Sequence, residues 1–158
     1  MHDGRIIRYV KENKSLKTVK FHDTLDEKVF LLKLTPGISS YILEAIFSYY
    51  DCIIIESFGS GGIPESLEAK LFELMQQYPP EEKIVIMTTQ VTYEGSNVGV
   101  YEVGQKLKSQ FKILEAKDMT LEAVIAKTMW ILGKTKDRKE FREIFYTTVN
   151  HDLLFLPE

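Results

Sequence analysis

A chain of 158 residues with 44% hydrophobic composition is long enough for one ordinary domain with a buried core. It contains neither an apolar run of about 18 residues nor a secretory leader with a small-residue cleavage site, which argues for a soluble, cytoplasmic protein with no membrane partner. The formal charge of -3 is uneven: residues 1–20 carry +4 and the remainder -7, and lysines at every third position of the arm fit a solvated hairpin face better than a nucleic-acid contact.

Taken in chain order, Arg5–Val10 and Leu16–Phe21 read as two strands joined by a turn at Lys11–Ser15. A hairpin of this size needs a surface to lie on. Thr24–Glu27 follows as a linker. Val29–Leu34 is the first strand of the main domain. The turn Thr35-Pro36-Gly37 leads into a helix from about Ser40 to Tyr49, with Ile42, Leu43, Ile46 and Phe47 on one side. Cys52–Glu56 is a strand of nearly continuous apolar residues, which need cover on both faces and so favour a parallel sheet between helices. Pro64 is placed at the first helical position, where its missing N–H costs nothing, and the helix runs to about Gln77 before Pro79-Pro80. Lys83–Thr88 is the third strand.

A polar loop, Thr89–Gly99, separates that strand from a short helix over Val103–Gln110. Phe111–Leu114 forms either a fourth strand or a connection. Asp118 or Thr120 caps the next helix, whose apolar side is Leu121, Val124, Ile125, Thr128, Met129 and Leu132, and Gly133 suits its end. A last helix spans Asp137 to about Phe145. These elements predict a small Rossmann-like three-layer α/β domain over 29–158, with a mainly parallel sheet of about four strands flanked by helices. A β hairpin and linker over 1–28 precede it.

In such a sheet, ligand-handling loops follow the carboxyl ends of strands, here Thr35-Pro36-Gly37, Glu56–Ile63 and Thr89–Gly99. Gly59-Ser60-Gly61-Gly62 before Pro64 permits close backbone approach, as a ligand-facing loop or as a purely structural tight turn. It matches neither the dinucleotide fingerprint nor a phosphate-binding loop. Glu56, ending an apolar strand, must face solvent or accept hydrogen bonds from the loop beside it. The sole cysteine, Cys52, adjoins Ile53-Ile54-Ile55 and reads as an inert buried thiol. His2, His22 and His151 lack ligand spacing, so no metal or other cofactor is expected. No serine, threonine or cysteine has an evident activating base, so no catalytic residue is assigned.

Lys33–Ser39, Ile55–Pro64, Thr89-Gln90 with Gly95 and Tyr101, and Ala116–Ala123 occur in an order that resembles the C-terminal domain of cytoplasmic type I L-asparaginase. The hairpin over 5–21 is similar to the segment leading out of that family's larger N-terminal domain. The resemblance implies that the threonine nucleophile, the threonine-aspartate pair and the relay lysine belong to an N-terminal catalytic domain whose motifs are missing here. This chain is then expected to be inactive by itself and to contribute to homo-oligomer assembly and to the border of a site for a small amino-acid substrate. It further implies that Ser60, Gly61 and Gly62 belong to the loop reaching that site, with Gln90 and Tyr101 in and after the second loop and Glu56 beside them. Pro36, Gly37, Gly59 and Pro64 would be structural turns. Two positions depart from the family: Gly62 stands where members usually carry asparagine, and Val91 stands where some have an effector-pocket cysteine.

Two other classes compete with this reading. One is a freestanding amino-acid binding or regulatory domain using the same sheet edge. The other is a noncatalytic dimerisation module, suggested by Phe141, Phe145, Tyr146, Leu153, Leu154 and Phe155 in the tail. Asparagine, glutamine and amidotransferase specificities of the parent enzyme are not separated by these residues.

Overall fold

The computed structural model describes residues 18, 21–59, 61–78, 82–91, 95–97, 99 and 102–153. The hairpin expected over 5–21 therefore lies almost wholly outside the described residues, as do Ser60, Tyr101 and the tail beyond Leu153.

Strand β1 (Val29–Lys33) is followed by helix α1 (Ile42–Tyr49), β2 (Cys52–Ser57), α2 (Glu65–Gln77), β3 (Ile84–Thr89) and α3 (Glu102–Phe111). Strand β4 (Leu114–Glu115) and helices α4 (Leu121–Leu132) and α5 (Arg138–Phe145) complete the described elements. The sheet has the order β1-β2-β3-β4, and every pairing is parallel. Such a sheet grows in one direction, so crossovers of the usual right hand place α1, α2 and α3 on the same face.

The core divides accordingly. Leu32, Ile53, Ile55, Val85 and Met87 pack against Leu43, Phe47, Leu67, Leu71 and Leu107 of those three helices. Alternate strand residues, Cys52, Ile54, Ile84, Ile86 and Leu114, face Val124, Ile131 and Leu132 of α4 with Phe141 and Phe145 of α5. Burial on both faces explains why β2 reads as an unbroken apolar run. Cys52 is fully buried, and that burial pushes its thiol pKa up, which keeps it protonated and inert.

Several element ends differ locally from the sequence expectation. Pro64 is the cap residue before α2, with extended ψ 139°, and its carbonyl accepts the N–H groups of Leu67 and Glu68 at 2.9 Å. Thr120, not Asp118, caps α4, its hydroxyl accepting the Ala123 N–H at 3.3 Å. Phe111 ends α3, and Lys112, at φ 53°, turns the chain into the two-residue β4. Gly133 closes α4 with φ -68°, so it is no left-handed cap. Its requirement is proximity: a Cβ there would lie 2.6 Å from the Thr24 carbonyl oxygen.

That contact shows how the stretch before β1 is held. Asp26 N–H donates to the Met129 carbonyl at 3.0 Å, and the His22 and Trp130 rings meet edge-on at 5.4 Å. Lys136 bridges the Asp26 and Asp51 carboxylates, tying this stretch to the start of β2. The Lys136 hydrogen bond, with the Lys28 N–H, holds the Asp26 carboxyl below its ordinary pKa. The tail is fixed from inside: Lys127 of α4, almost fully buried, donates to Asp152 Oδ2 and to the Thr147 carbonyl, each at 2.8 Å.

Candidate functional site

The carboxyl ends of β1, β2 and β3 and the loops after them meet at one edge of the sheet. Lys33 and Glu56 are direct cross-strand partners, and the Lys33 ammonium donates to both Glu56 carboxylate oxygens at 2.9 and 3.0 Å. Glu56 is 6% exposed while its partner reaches solvent, so a nearly buried carboxylate is neutralised by a lysine that stays hydrated. Burial of Glu56 demanded donors, but they come from Lys33 on the neighbouring strand and not, as expected, from the loop that follows.

Gln90 joins all three segments. Its side-chain amide donates to the carbonyls of Leu34 at 2.8 Å and Glu56 at 3.2 Å, and its backbone N–H donates to the Ser57 carbonyl at 3.1 Å. Ser57 is buried, and its hydroxyl donates to the Thr88 carbonyl at 2.7 Å. The Thr89 hydroxyl donates to the Gly59 carbonyl and accepts the Val91 N–H.

The glycine loop folds back on itself. Phe58 and Gly62 exchange backbone hydrogen bonds at 3.0 and 2.7 Å, and the Gly61 N–H donates to the Phe58 carbonyl at 3.2 Å. Gly59 occupies φ 49°, the left-handed region that a tight reversal needs. Pro36 and Gly37 form the turn after β1, where Ile38 N–H closes on the Thr35 carbonyl.

Of the residues expected at the border, Glu56, Gly61, Gly62 and Gln90 are thus gathered within one hydrogen-bonded edge, whereas Ser60 and Tyr101 lie outside the described residues. The lacing by Gln90 was not legible in sequence, because which loops a glutamine spans depends on strand order. A second support carries no sequence signal: the buried Ser96 donates its backbone N–H to the Lys117 carbonyl at 2.8 Å, and its hydroxyl accepts the Lys117 N–H at 2.7 Å. This pair pins the long loop after β3 to the turn before α4.

Among the described residues the arrangement positions backbone dipoles, and the Ser57 and Thr89 hydroxyls have no activating base. Ser57 and Thr89 spend their hydroxyls on carbonyls. The Thr135 hydroxyl does donate to Glu140 at 2.6 Å, but it also accepts the Asp137 N–H at the exposed start of α5, so it serves the helix end. Among the described residues, no cluster of three or more His, Cys, Asp or Glu side chains could hold a metal ion.

The sheet topology bears on where a ligand could sit. An open parallel sheet forms its ligand crevice where the strand order reverses. Here the order runs in one direction across all four strands, so the described residues supply a lip and no such crevice.

Residues 28–145 match the family described as the glutaminase/asparaginase C-terminal domain. The chain belongs to that family. Its relatives include an L-asparaginase of Thermococcus kodakarensis, 40% identical over 124 residues, which cover 78% of this chain and 37% of the relative. A glutamyl-tRNA(Gln) amidotransferase subunit of Pyrococcus horikoshii is 36% identical over 126 residues, 79% of this chain and 28% of that protein. Among solved structures, the thermostable L-asparaginase from T. kodakarensis superposes with TM-score 0.79 at 34% identity, covering 93% of this chain and 44% of that one. The L-asparaginase I structure from Vibrio cholerae, with TM-score 0.72 at 21% identity, shares the fold; the match covers 90% of this chain and 42% of that one. This glutaminase/asparaginase C-terminal domain thus spans between 28% and 37% of the length of these two curated relatives.

Proposed function

We propose that this glutaminase/asparaginase C-terminal domain forms the border of an amidohydrolase site whose bond-breaking groups lie on a separate N-terminal domain. The reaction proposed for the assembled protein is L-asparagine plus water to L-aspartate and ammonia. The observation that carries the reading is the lip itself: three loops, laced by Gln90, present a folded glycine turn at the carboxyl edge of a sheet whose described strands form no switch-point crevice. Its 40% identity to an L-asparaginase supports the substrate class.

In this scheme Ser60, Gly61, Gly62, Gln90 and Tyr101 edge the substrate space, and Glu56 braces the loop through Lys33. Acyl transfer needs an activated hydroxyl with its base and N–H donors for the oxyanion; the partner domain supplies the hydroxyl and base. The chain divides into an arm and linker over 1–28 and the domain over 29–158, a division supported by the family match beginning at residue 28. The setting proposed is the cytoplasm; no described helix is long and apolar enough to cross a membrane.

Homo-oligomer assembly is part of the proposal, but three of the six tail residues, Phe141, Phe145 and Leu153, face inward, while Leu154 and Phe155 lie outside the described residues. Phe141, Phe145 and Leu153 are at most 2% exposed and fill the domain's own core. The α1 face offers the better surface, with Tyr41 79% and Tyr49 75% exposed beside Ile42. A second reading, a subunit of an amidotransferase, draws on the 36% identity to a glutamyl-tRNA(Gln) amidotransferase subunit.

The test is asparagine hydrolysis by the 158-residue chain, by a family N-terminal domain, and by the two mixed, with solution mass measured in parallel. Hydrolysis appearing on mixing supports the proposal. Turnover by this chain in isolation refutes it. Asparagine binding by the isolated chain, with no activity on mixing, points to the freestanding binding domain.

A further inference from the structure

At the end of the sheet opposite the Gln90 lip, a groove of about 560 Å³ opens between the C-terminal end of α3, β4 and α5. Among the described residues, its charged lining is Lys83, Lys108, Lys112, Arg138, Lys139 and Arg142 against one acid, Glu115. In a chain of net charge -3 this is a sharp local reversal. Glu115 offsets only part of this charge, because its carboxylate pairs with Lys108, one of the six, at 2.8 Å and with Lys117 at 2.6 Å. Lys83 donates to a neutral group, the Tyr50 carbonyl, at 2.9 Å, so its charge remains uncompensated by that contact.

The floor is apolar and shaped by the shortness of β4. That strand pairs only with Ile86 and Met87, which leaves Ile84 and Val85 of β3 lining the groove together with Phe111, Ile113 and Phe141. Tyr146 closes the wall; its hydroxyl accepts the Glu115 N–H at 3.0 Å, and the Arg142 guanidinium lies 5.2 Å from its ring centre. One lining residue is held at a conformational cost: Lys112 occupies φ 53°, a region suited to glycine or asparagine and unfavourable for a long side chain.

We propose that this groove binds a nucleoside phosphate: phosphates at the cationic rim, the nucleoside over the apolar floor. The cavity has the size of a single small-ligand site with a mainly apolar lining and a few converging polar groups. A nucleic-acid strand would ask for an extended basic track with successive exposed aromatic platforms, which this short groove does not form. The site draws its cations from the start of β3, the end of α3, the turn before β4 and one side of α5, so it exists only in the folded domain.

The experiment uses the 158-residue chain and titration calorimetry with adenosine diphosphate, pyrophosphate, adenosine and a single-stranded oligonucleotide, each at low and high salt. Adenosine diphosphate should bind one to one, with adenosine and pyrophosphate each at least about ten-fold weaker and affinity falling as salt rises. Lys139→Glu with Arg142→Glu, both on the exposed side of α5, should lower affinity by about a hundred-fold or more, as loss and reversal of two charge-assisted contacts require. Lys112→Gly separates binding from folding: it relieves the backbone, so the melting temperature should hold or rise while affinity falls about ten-fold. No heat with millimolar adenosine diphosphate, an affinity untouched by these variants, or tight oligonucleotide binding with adenosine diphosphate silent would each overturn the assignment.

Discussion

Lys127→Met tests how the tail is attached to the domain. Lys127 is 6% exposed, and its ammonium lies 2.8 Å from both Asp152 Oδ2 and the Thr147 carbonyl, over the Phe145 ring at 5.9 Å. Methionine preserves the apolar stem but leaves the Asp152 carboxylate and the Thr147 carbonyl without their donor. Breaking a fully buried pair costs about 3–5 kcal/mol; because the Asp152 side chain is 14% exposed and water can reach it, the low end, about 3 kcal/mol, applies. For a domain of this size that lowers the melting temperature by about 6–12 °C. Adding Asp152→Asn removes the stranded charge while its remaining oxygen still accepts the Val149 N–H, as Asp152 Oδ1 does at 2.6 Å. Thermal melts of the two single variants, the double variant and the parent measure the coupling. The double variant should recover half or more of the loss. A single variant melting within about 2 °C of the parent, or strictly additive losses, would refute a buried ion pair as the tail's anchor.

Thr128 is fully buried, and its hydroxyl has no hydrogen-bond partner among the described residues, so Thr128→Val should stabilise the chain by about 1 kcal/mol; a lower melting temperature would contradict this. Burial favours the protonated form of Glu115, but the Lys108 and Lys117 hydrogen bonds outweigh it and hold its pKa below the ordinary value. A depressed carboxylate pKa contributes stability that is present above the unfolded-state value of about 4.3 and lost as pH falls through the lower folded value. Glu115→Gln should therefore be less stable at neutral pH, with the two stability curves converging below about pH 4 in denaturant titrations. At the lip, Gln90→Leu removes both side-chain donations, and amide exchange should accelerate at 34–38 and 57–62 while the β2–β3 core stays protected. Uniform acceleration across the core would mean that Gln90 supports the whole domain and not this edge.

The sequence by itself determined the succession of strand and helix up to the short β4, which it left open, since most of that information is local. Ile53-Ile54-Ile55 reads as a strand covered on both faces, and Pro64 and the Asp118–Thr120 segment mark helix starts to within a residue or two through the backbone geometry each residue type accepts. It also exposed the problem of Glu56, because a carboxylate at the end of such a run needs a donor. What sequence could not supply was the donor's identity: Lys33 lies opposite Glu56 through the β1–β2 register, a long-range property. Periodicity likewise marked Phe141 and Phe145 as apolar without saying whether they faced a partner or their own sheet. Tertiary structure decided this, because the one-directional strand order puts α1 to α3 on one face and leaves the other for α4 and α5 to cover. The same packing gathers Lys83, Lys108, Lys112, Lys139 and Arg142 around one groove, although in sequence they are scattered among acids. Local pattern dictates what each segment becomes, whereas charge clustering and loop lacing arise only when segments far apart in the chain are brought into contact.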